Sequence, residues 1–437
     1  MCMVAWNDYD YLESGFLNST SNRKLRILDV VFPSSGGIVR ERLLLKALSE
    51  LGHRCFVAEL VGKTNLNYKK ISVFQSAEVR QKAKRSIEME KTKGAPSFVF
   101  LPKAEQKEFI SKLIGLDSSS EEVMKVVNFV ETNKIDAVIS GDFSVTAPLL
   151  KALKEHAAIP AITLSAGYIF TFQKFSDLGI DLQQLRLKYR NLINQLDAII
   201  SPSNFDAKRV IEDLCIDQRK VRVVYNGIDL DTPRKLLGEL STDSKLRILK
   251  KYNLSYKTYF LYIGRLDVDK GIHIFPFLSK ALPNIKIVLA GGEQYDSPCG
   301  LDIYKKIIFY YDLKEEKFSI IGRLTEIEKY VIMESAIATV CPSTDAEAFN
   351  LVQIESISVN TPVIAPSFGP FPEIAKELSP FIITYHPFDI MDLKRKINHI
   401  LSTFKRLDYV DNPIRECEFS YKTMALKVLD IILEAGK

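Results

Sequence analysis

Two glutamates stand close together where the sequence changes from polar to apolar. Glu347 lies in the polar segment STDAEA, and Glu355 follows with seven residues between them, inside the apolar run NLVQIESIS. The run has helical spacing, so Glu347 precedes a helix N-terminus and Glu355 lies in the second turn. Backbone N–H groups at a helix N-terminus have no acceptor within the helix and favour an anion. Such a site could accept hydrogen bonds from a polyhydroxylated ligand and hold its phosphate.

The same spacing has a simpler interpretation. The helix dipole favours a carboxylate ahead of the helix N-terminus, and a glutamate within a helix is often a solvated surface residue. The spacing of the two acids does not decide between these interpretations. The elements that position them must be considered.

Both halves of the chain repeat an apolar run, a turn with Gly or Pro, and a longer amphipathic segment. Near-continuous apolar runs are typical of strands buried on both faces, and this alternation predicts parallel sheets with helices on both faces. In the first half the predicted strands are 25–32, 54–60, 135–140, 160–165 and 196–203. In the second half they are 259–265, 284–291, 318–323, 337–343, 361–366 and 380–385.

This pattern predicts an α/β protein of two doubly wound domains that face a central cleft, where the carboxyl ends of the strands would hold the ligand. The polar, interrupted segment near 230–257 separates the two domains. The predicted organisation is an N-terminal tail (1–24), a first domain (25–235), a linker (236–257), a second domain (258–415) and a final helix (416–437).

The composition is that of an ordinary soluble protein, with 437 residues and a net charge of +5. This charge does not indicate a nucleic-acid partner. The six cysteines include no CxxC pair, which argues against a zinc site or a disulfide framework and favours a cytoplasmic location. Residues 1–24 lack a signal-peptide pattern. The basic segment 70–94 is either a solvated face or a surface that touches a membrane.

Four longer motifs indicate a function more specifically than the spacing of the two acids does. The sequence CPSTDAEAFNLVQIESISVNTPVIAPSFGPFPE resembles the signature of the retaining glycosyltransferases of family 4, also called group 1, which have the GT-B fold. Upstream, YIGRLDVDKGI, VVYNGIDLD and SGGIVRERLLLKALSELGH resemble further elements of that family, in the family's order. The resemblance implies two Rossmann-like domains and a final helix that crosses back to the first domain.

The resemblance also implies a function, the transfer of a sugar from a nucleotide-diphosphate donor to an acceptor hydroxyl with retention of configuration. Glu355 would hold the ribose hydroxyls and Glu347 the donor sugar, while cations neutralise the leaving diphosphate. The residues implied in catalysis are Glu347, Arg265, Lys270 and Asp142. Those implied in donor binding are Gly36, Gly37, Ser165, Gly264, Arg323, Leu324, Phe349, Asn350, Leu351 and Glu355.

The sequence departs from the family pattern in several places: the ligand-facing turns at 347–350 and 369–373 each lack a glycine of the pattern, and a further departure bears more directly on activity. Family members commonly carry a histidine at the end of the strand 160–165, and Ser165 stands there instead. Asp142, at the end of a neighbouring strand, is a candidate base or simply a turn acid. A catalytically weak homologue that acts as a regulatory or scaffold subunit therefore remains the alternative. A sugar phosphorylase is disfavoured because no lysine-bearing pyridoxal phosphate site is recognisable, and a nucleotide-sugar epimerase is disfavoured because the epimerases lack the sequence context of Glu347.

No metal site or organic cofactor is predicted. Three Asp-x-Asp triplets, at 8–10, 229–231 and 267–269, are interpreted as structural. The expected ligands are a UDP- or GDP-linked sugar and a glycan, lipid-linked or protein acceptor. Peripheral membrane contact and a partner subunit are further expectations, and no nucleic-acid partner is expected.

Overall fold

The computed structural model describes residues 23–31, 37–61, 67–74, 119–165, 179, 181–282, 284–292, 306, 308–310, 312–314, 316–344, 347–407, 414 and 418–437. Most of the predicted N-terminal tail and residues 75–94 of the basic segment lie outside these ranges.

The first sheet contains seven of the described strands. They are β1 (Arg26–Val31), β2 (Arg54–Val61), β3 (Asn67–Phe74), β4 (Ala137–Asp142), β5 (Ala161–Leu164), β6 (Ala198–Ser201) and β7 (Val221–Val223). Their order across the sheet is β3-β2-β1-β4-β5-β6-β7. The pairing of β2 with β3 is antiparallel, and the other pairs are parallel.

The second sheet contains six strands, paired in parallel. They are β8 (Tyr259–Ile263), β9 (Lys286–Ala290), β10 (Phe318–Gly322), β11 (Ala338–Val340), β12 (Val363–Pro366) and β13 (Ile382–Tyr385). Their order is β10-β9-β8-β11-β12-β13. In this sheet the chain runs outward from β8 to one edge and then from β11 to the other. The predicted fold class, two doubly wound α/β units, is confirmed.

Helices connect the strands. In the first half they are α1 (Gly37–Glu50), α2 (Glu121–Thr132), α3 (Phe143–Ala157), α4 (Leu182–Ile193) and α5 (Asn204–Leu214), and α6 (Asp231–Gly238) and α7 (Thr242–Lys251) follow. In the second half they are α8 (Phe275–Ala281), α9 (Glu326–Ser335), α10 (Leu351–Ser358), α11 (Phe371–Glu377), α12 (Ile390–Leu407) and α13 (Tyr421–Ala435). None of the described helices is long and apolar enough to cross a membrane.

Strand residues alternate between two cores because successive side chains point to opposite faces of a sheet. In β1, Leu28 packs with α2 and α3 on one face, and Ile27 packs with α1 and α13 on the other. This double burial explains the near-continuous apolar runs in the sequence.

The last helix, α13, packs on the first sheet and not on the second. Its buried side chains, including Met424 and Val428, share a core with β1, β2 and α1. The hydroxyl of Tyr421 donates to the Glu50 carboxylate in α1 at 2.7 Å. The chain thus returns from the second unit to the first.

Candidate active site

Lys270 and Glu347 meet although 77 positions separate them in the chain. Lys270 follows β8 and Glu347 follows β11, and these strands are neighbours, so both residues lie at the same edge of the second sheet. Nζ of Lys270 donates to Oε1 of Glu347 at 2.6 Å, and the Ser343 hydroxyl donates to the same oxygen at 2.9 Å. The lysine and glutamate side chains are only 17% and 11% exposed. This mostly buried ion pair lies where open α/β sheets bind their ligands.

Arg265 lies in the same loop as Lys270 and is held by two acids of that loop. Its guanidinium donates to Asp267 at 3.1 Å and to Asp269 at 2.7 Å. Asp269 also lies 3.8 Å from Nζ of Lys270, so it links the two cations. An anionic ligand that binds here must therefore compete with these carboxylates for the cations.

The remaining Asp-x-Asp triplets are placed differently. Asp229 accepts a hydrogen bond from Lys46 at 2.5 Å and accepts from the Thr232 amide at the start of α6. Residues 8–10 lie outside the described residues. Within the described part of the chain, no group of three His, Cys, Asp or Glu side chains is arranged to hold a metal ion.

Helix α10 begins directly after the Glu347 loop. Asn350 precedes the helix, its Nδ2 lies 3.5 Å from Oε1 of Glu347, and Leu351 is the first helical residue. Phe349 is buried beside Tyr225 and Phe419, which stack on each other, with 6.1 Å between its ring centroid and each of theirs. The aromatic anchor fixes the loop, so that the first amides of α10 start beside the Lys270–Glu347 pair. In an α-helix these first amides have no intrahelical acceptor.

Glu355 lies one turn further along α10 and is not a free surface acid. Its Oε1 accepts a hydrogen bond from Nζ of Lys329 at 2.8 Å, and the two side chains are 18% and 23% exposed. The interpretation of Glu355 as a solvated helix residue therefore does not hold, because its carboxylate forms a partly buried ion pair.

Arg323 and Leu324 follow β10, two strands from β8. The Arg323 side chain lies against Gly292, where a Cβ atom would be only 2.7 Å from Nε. Gly264, at the end of β8, donates its N–H to the carbonyl of Ala290 in β9 at 3.0 Å. The loops after three neighbouring strands thus converge at one edge of the second sheet.

The candidate residues of the first domain are less fully described. Gly36 lies outside the described residues, and Gly37 is the first residue of α1. Asp142 ends β4, where its backbone pairs with Leu164, and its side chain lies outside the described part.

Ser165 follows β5, as predicted, but its side chain is fully buried. Its hydroxyl donates to the Asp206 carboxylate and lies 2.9 Å from the Ser201 hydroxyl. The structure therefore gives Ser165 a place in a buried polar network and not on an open surface of the cleft.

Asp206 is the centre of this network, and its ionisation should affect stability. Burial raises its pKa from 3.8 to about 6, against the hydrogen bonds from Ser165 and Ser201 that lower it. Because the pKa of Asp206 is raised in the folded state, its protonated carboxyl group stabilises the fold fully below pH 3.8. This stabilisation is lost as the pH rises through about 6. The loss amounts to about 3 kcal/mol at about 1.4 kcal/mol per unit.

Asp206→Asn is therefore expected to gain stability relative to the wild type as the pH rises from 4 to 7. Urea unfolding across this range measures the difference. The control is Asp217→Asn: the exposed Asp217 bonds to Arg219, which lowers its pKa to about 2. The difference in unfolding free energy between Asp217→Asn and the wild type should change only below about pH 4. There the variant should lose stability relative to the wild type as the pH rises. A constant difference for Asp206→Asn would contradict the assignment.

The start of α5 connects the two units. Ser203 caps this helix, accepting from the Asp206 amide at 3.0 Å, and its hydroxyl donates to the carbonyl of Ala348 at 2.7 Å. Ala348 is adjacent to Glu347. A first-domain helix therefore contacts the loop that carries the Glu347 carboxylate.

A second contact reinforces this one. The Glu373 carboxylate accepts from the Asn204 amide at 3.0 Å, from the Asn204 side chain at 2.8 Å and from the Phe205 amide at 3.4 Å. A carboxylate of the second unit thus occupies the N-terminus of α5, which is where a helix dipole favours negative charge.

Sequence reasoning missed three functional candidates: Lys329, Ser203 and Glu373. Ser203 had a detectable signal, because a serine before a helical run is a common N-cap. Glu373 stands in the motif GPFPE, but the motif does not indicate its partner. Lys329 had no local signal, since its partner Glu355 lies 26 positions away.

Two family models match the chain. Residues 116–232 match the model described as Glycosyltransferase Family 4, and residues 245–415 match the model described as Glycosyl transferases group 1. Together these segments make up about two thirds of the chain.

Curated relatives match at low identity. An uncharacterized glycosyltransferase of Methanocaldococcus jannaschii is 25% identical over 240 residues, which cover 52% of this chain and 58% of the relative. The D-inositol 3-phosphate glycosyltransferase of Mycolicibacterium smegmatis is 24% identical over 226 residues, which cover 48% of this chain and 47% of the relative. The chain thus spans about half the length of the curated relatives it matches.

Solved structures match along nearly the whole chain. A glycosyltransferase from Rickettsia africae superposes with a TM-score of 0.67 at 17% identity, covering 95% of this chain and 99% of that one. Anabaena HepE, solved in complex with UDP and glucose, superposes with a TM-score of 0.65 at 15% identity, covering 94% and 100%. At these identities the likeness shows the fold.

Proposed function

This chain belongs to the group 1 glycosyltransferases, and we propose that it transfers a sugar from a nucleotide-diphosphate donor to an acceptor hydroxyl. The observation that carries the proposal is the cluster of Arg265, Lys270 and Glu347 at the carboxyl ends of β8 and β11, next to the N-terminus of α10. Two cations, a carboxylate and free helix amides match the charges and hydroxyls of a sugar diphosphate.

The two cations would act on the leaving group. As the bond between the sugar and the diphosphate breaks, negative charge grows on the diphosphate oxygens. Lys270 and Arg265 can neutralise that charge when the diphosphate replaces Asp267 and Asp269 as their partner. We propose that these side chains supply the positive charge without a metal ion.

Glu347 would hold the donor sugar. Lys270 and Ser343 bind one oxygen of its carboxylate, which leaves the second oxygen to accept a sugar hydroxyl. The amides of Phe349, Asn350 and Leu351 would complete this contact. Gly36, Gly37, Gly264, Arg323 and Leu324 would line the rest of the donor site.

The proposed reaction retains the configuration at the anomeric carbon. The acceptor hydroxyl attacks from the face that the diphosphate leaves, the bond from carbon to the diphosphate oxygen breaks, and the hydroxyl proton passes to the departing diphosphate. Asp142 is the candidate to orient the acceptor hydroxyl. The acceptor class proposed is a glycan, a lipid-linked sugar or a protein.

Calorimetric titration with UDP and GDP, followed by assays of UDP- and GDP-linked sugars, tests the proposal. Binding of one nucleotide and acceptor-dependent release of the diphosphate are expected. Failure of both nucleotides to bind would contradict the proposal. Tight binding without turnover on glycan, lipid-linked and protein acceptors would favour the alternative function, a regulatory or scaffold subunit.

Glu355→Gln is expected to weaken binding of the preferred nucleotide by about 1.5–3 kcal/mol, because it replaces a charged acceptor for the ribose hydroxyls by a neutral amide. Calorimetry measures the change in Kd. The matched control is Glu334→Gln, in α9, where the carboxylate pairs with Lys245 at 2.8 Å. The control should leave Kd unchanged. An unchanged Kd for Glu355→Gln would remove the ribose assignment.

A further inference from the structure

Lys329 binds the Glu355 carboxylate, which the proposed function assigns to the ribose hydroxyls of the donor. It lies in α9, directly after the loop that carries Arg323 and Leu324, and its Nζ donates to Oε1 of Glu355 at 2.8 Å. The ammonium group also lies 4.4 Å from the centroid of the Tyr330 ring. One cation thus connects the helix after β10 to the helix after β11.

The start of α9 is fixed by a capping box. The Thr325 hydroxyl accepts from the Glu328 amide at 3.3 Å, and the Glu328 carboxylate accepts from the Thr325 amide at 2.9 Å. Such a box satisfies two otherwise unpaired amides and fixes the direction of the helix. Lys329 follows in the next position, so its backbone is set by the loop proposed to contact the base.

The Lys329–Glu355 pair differs from a neighbouring ion pair of α9. Lys251 pairs with Glu328 at 2.6 Å, and its side chain is 61% exposed, against 23% for Lys329. Glu328 is itself only 13% exposed, so water screens that pair on the lysine side alone, whereas both groups of the Lys329–Glu355 pair are mostly buried and removal of one leaves an uncompensated charge. Burial lowers the pKa of Lys329, but the Glu355 charge outweighs it and the pKa lies above its ordinary value, so the ammonium stays charged.

We propose that Lys329 is a positioning residue of the nucleotide site, which holds the Glu355 carboxylate in the orientation that accepts the ribose hydroxyls. Without the lysine, the glutamate side chain can rotate about its three torsions, and part of its binding energy would be lost in ordering it. With one oxygen held by Nζ, the other faces the ligand. This inference rests on the proposed function.

The test compares a nucleotide with its 2′,3′-dideoxy analogue. The wild type is titrated with UDP and GDP, and the nucleotide that binds is used with its analogue. The Kd of the analogue divided by the Kd of the intact nucleotide measures how strongly the protein recognises the ribose hydroxyls. The expected ratio for the wild type is about 10 or more, since a hydrogen bond to a charged group is involved. If neither nucleotide binds, the proposed function itself is overturned, and this inference with it.

Lys329→Gln is expected to reduce that ratio at least about 5-fold, mostly by weakening the binding of the intact nucleotide, and Lys329→Arg should retain most of it. The matched control is Lys245→Gln, which removes the lysine that pairs with Glu334 of α9 at 2.8 Å and should leave the ratio unchanged. A Lys329→Gln variant that keeps the wild-type ratio overturns the inference while the proposed function stands.

A second variant tests the inference if Lys329→Gln does not fold. The double variant Lys329→Met with Glu355→Gln leaves no unpaired charge, and it is compared with Glu355→Gln alone. Because Lys329 acts through Glu355, the two should bind the intact nucleotide equally. Clearly weaker binding by the double variant would show that Lys329 contacts the ligand itself, and the positioning role would be wrong.

Discussion

Replacing Lys270 or Arg265 by alanine is expected to lower kcat at saturating donor about 100-fold or more. The reason is that both cations lie at the sheet edge where the proposed diphosphate departs, and the charge that they stabilise is largest in the transition state. Lys270 is also the partner of Glu347 at 2.6 Å, so its loss frees a carboxylate at the proposed site of the donor sugar. Two effects thus act together at this position.

Steady-state kinetics separates this role from simple binding. A transition-state role lowers kcat and kcat/KM together, whereas a change confined to KM would show that the cations only bind the ground state. The control is Lys245→Ala, which removes a cation from an ion pair on α7 and α9. It should keep the wild-type kcat. Melting temperatures of the three variants show whether a low kcat comes from unfolding.

The sequence could predict the strands that are buried on both faces. Each predicted run became a strand, because a parallel strand between two helical layers needs apolar side chains in both directions. The missed strands are β3, with the polar sequence NYKKISVF, and β7, with only three residues. Both lie at edges of the first sheet. An edge strand has one fewer neighbour and tolerates polar residues, so it leaves no continuous apolar run.

The motifs indicated candidate residues for a ligand site, but not how these residues pair with one another. Lys270 and Glu347 were expected to face a ligand, and the structure shows them bound to each other. Such pairing depends on which strands are neighbours. That β8 lies beside β11 and not beside β10 is a property of the whole sheet. The sequence around either residue does not contain it.

Ser165 illustrates the same limit for burial. Its strand and its place at the strand end followed from the sequence, but its environment depends on Asp206, which lies 41 positions away on α5. A serine is compatible with an open cleft and with a buried network. Only the packing of α5 against the sheet decides, and here it places the hydroxyl out of contact with solvent.

The glycine after Lys270 gives the second large expected effect. Gly271 has a φ of +70°, and a Cβ atom there would lie 1.8 Å from the carbonyl oxygen of Pro342. Pro342 leads from β11 into the Glu347 loop. The close contact between these two backbones is what brings Lys270 to Glu347. Any side chain at position 271 must therefore push the two halves of the ion pair apart.

Gly271→Ala is expected to lower the free energy of unfolding by about 3 kcal/mol or more. A left-handed backbone costs a residue with a Cβ about 1–2 kcal/mol, and forcing an extra methyl into a packed site costs about 1–3 kcal/mol.

The control is Gly238→Ala at the end of α6, where a Cβ would meet nothing within 4 Å. Since alanine favours a helix over glycine, this variant should lose no stability and gain up to about 1 kcal/mol. Urea unfolding measures both, and equal stabilities of Gly271→Ala and the wild type would show that the contact with Pro342 can relax. If Gly271→Ala remains folded at low temperature, its kcat should be lowered like that of Lys270→Ala, because the added methyl group separates Lys270 from Glu347.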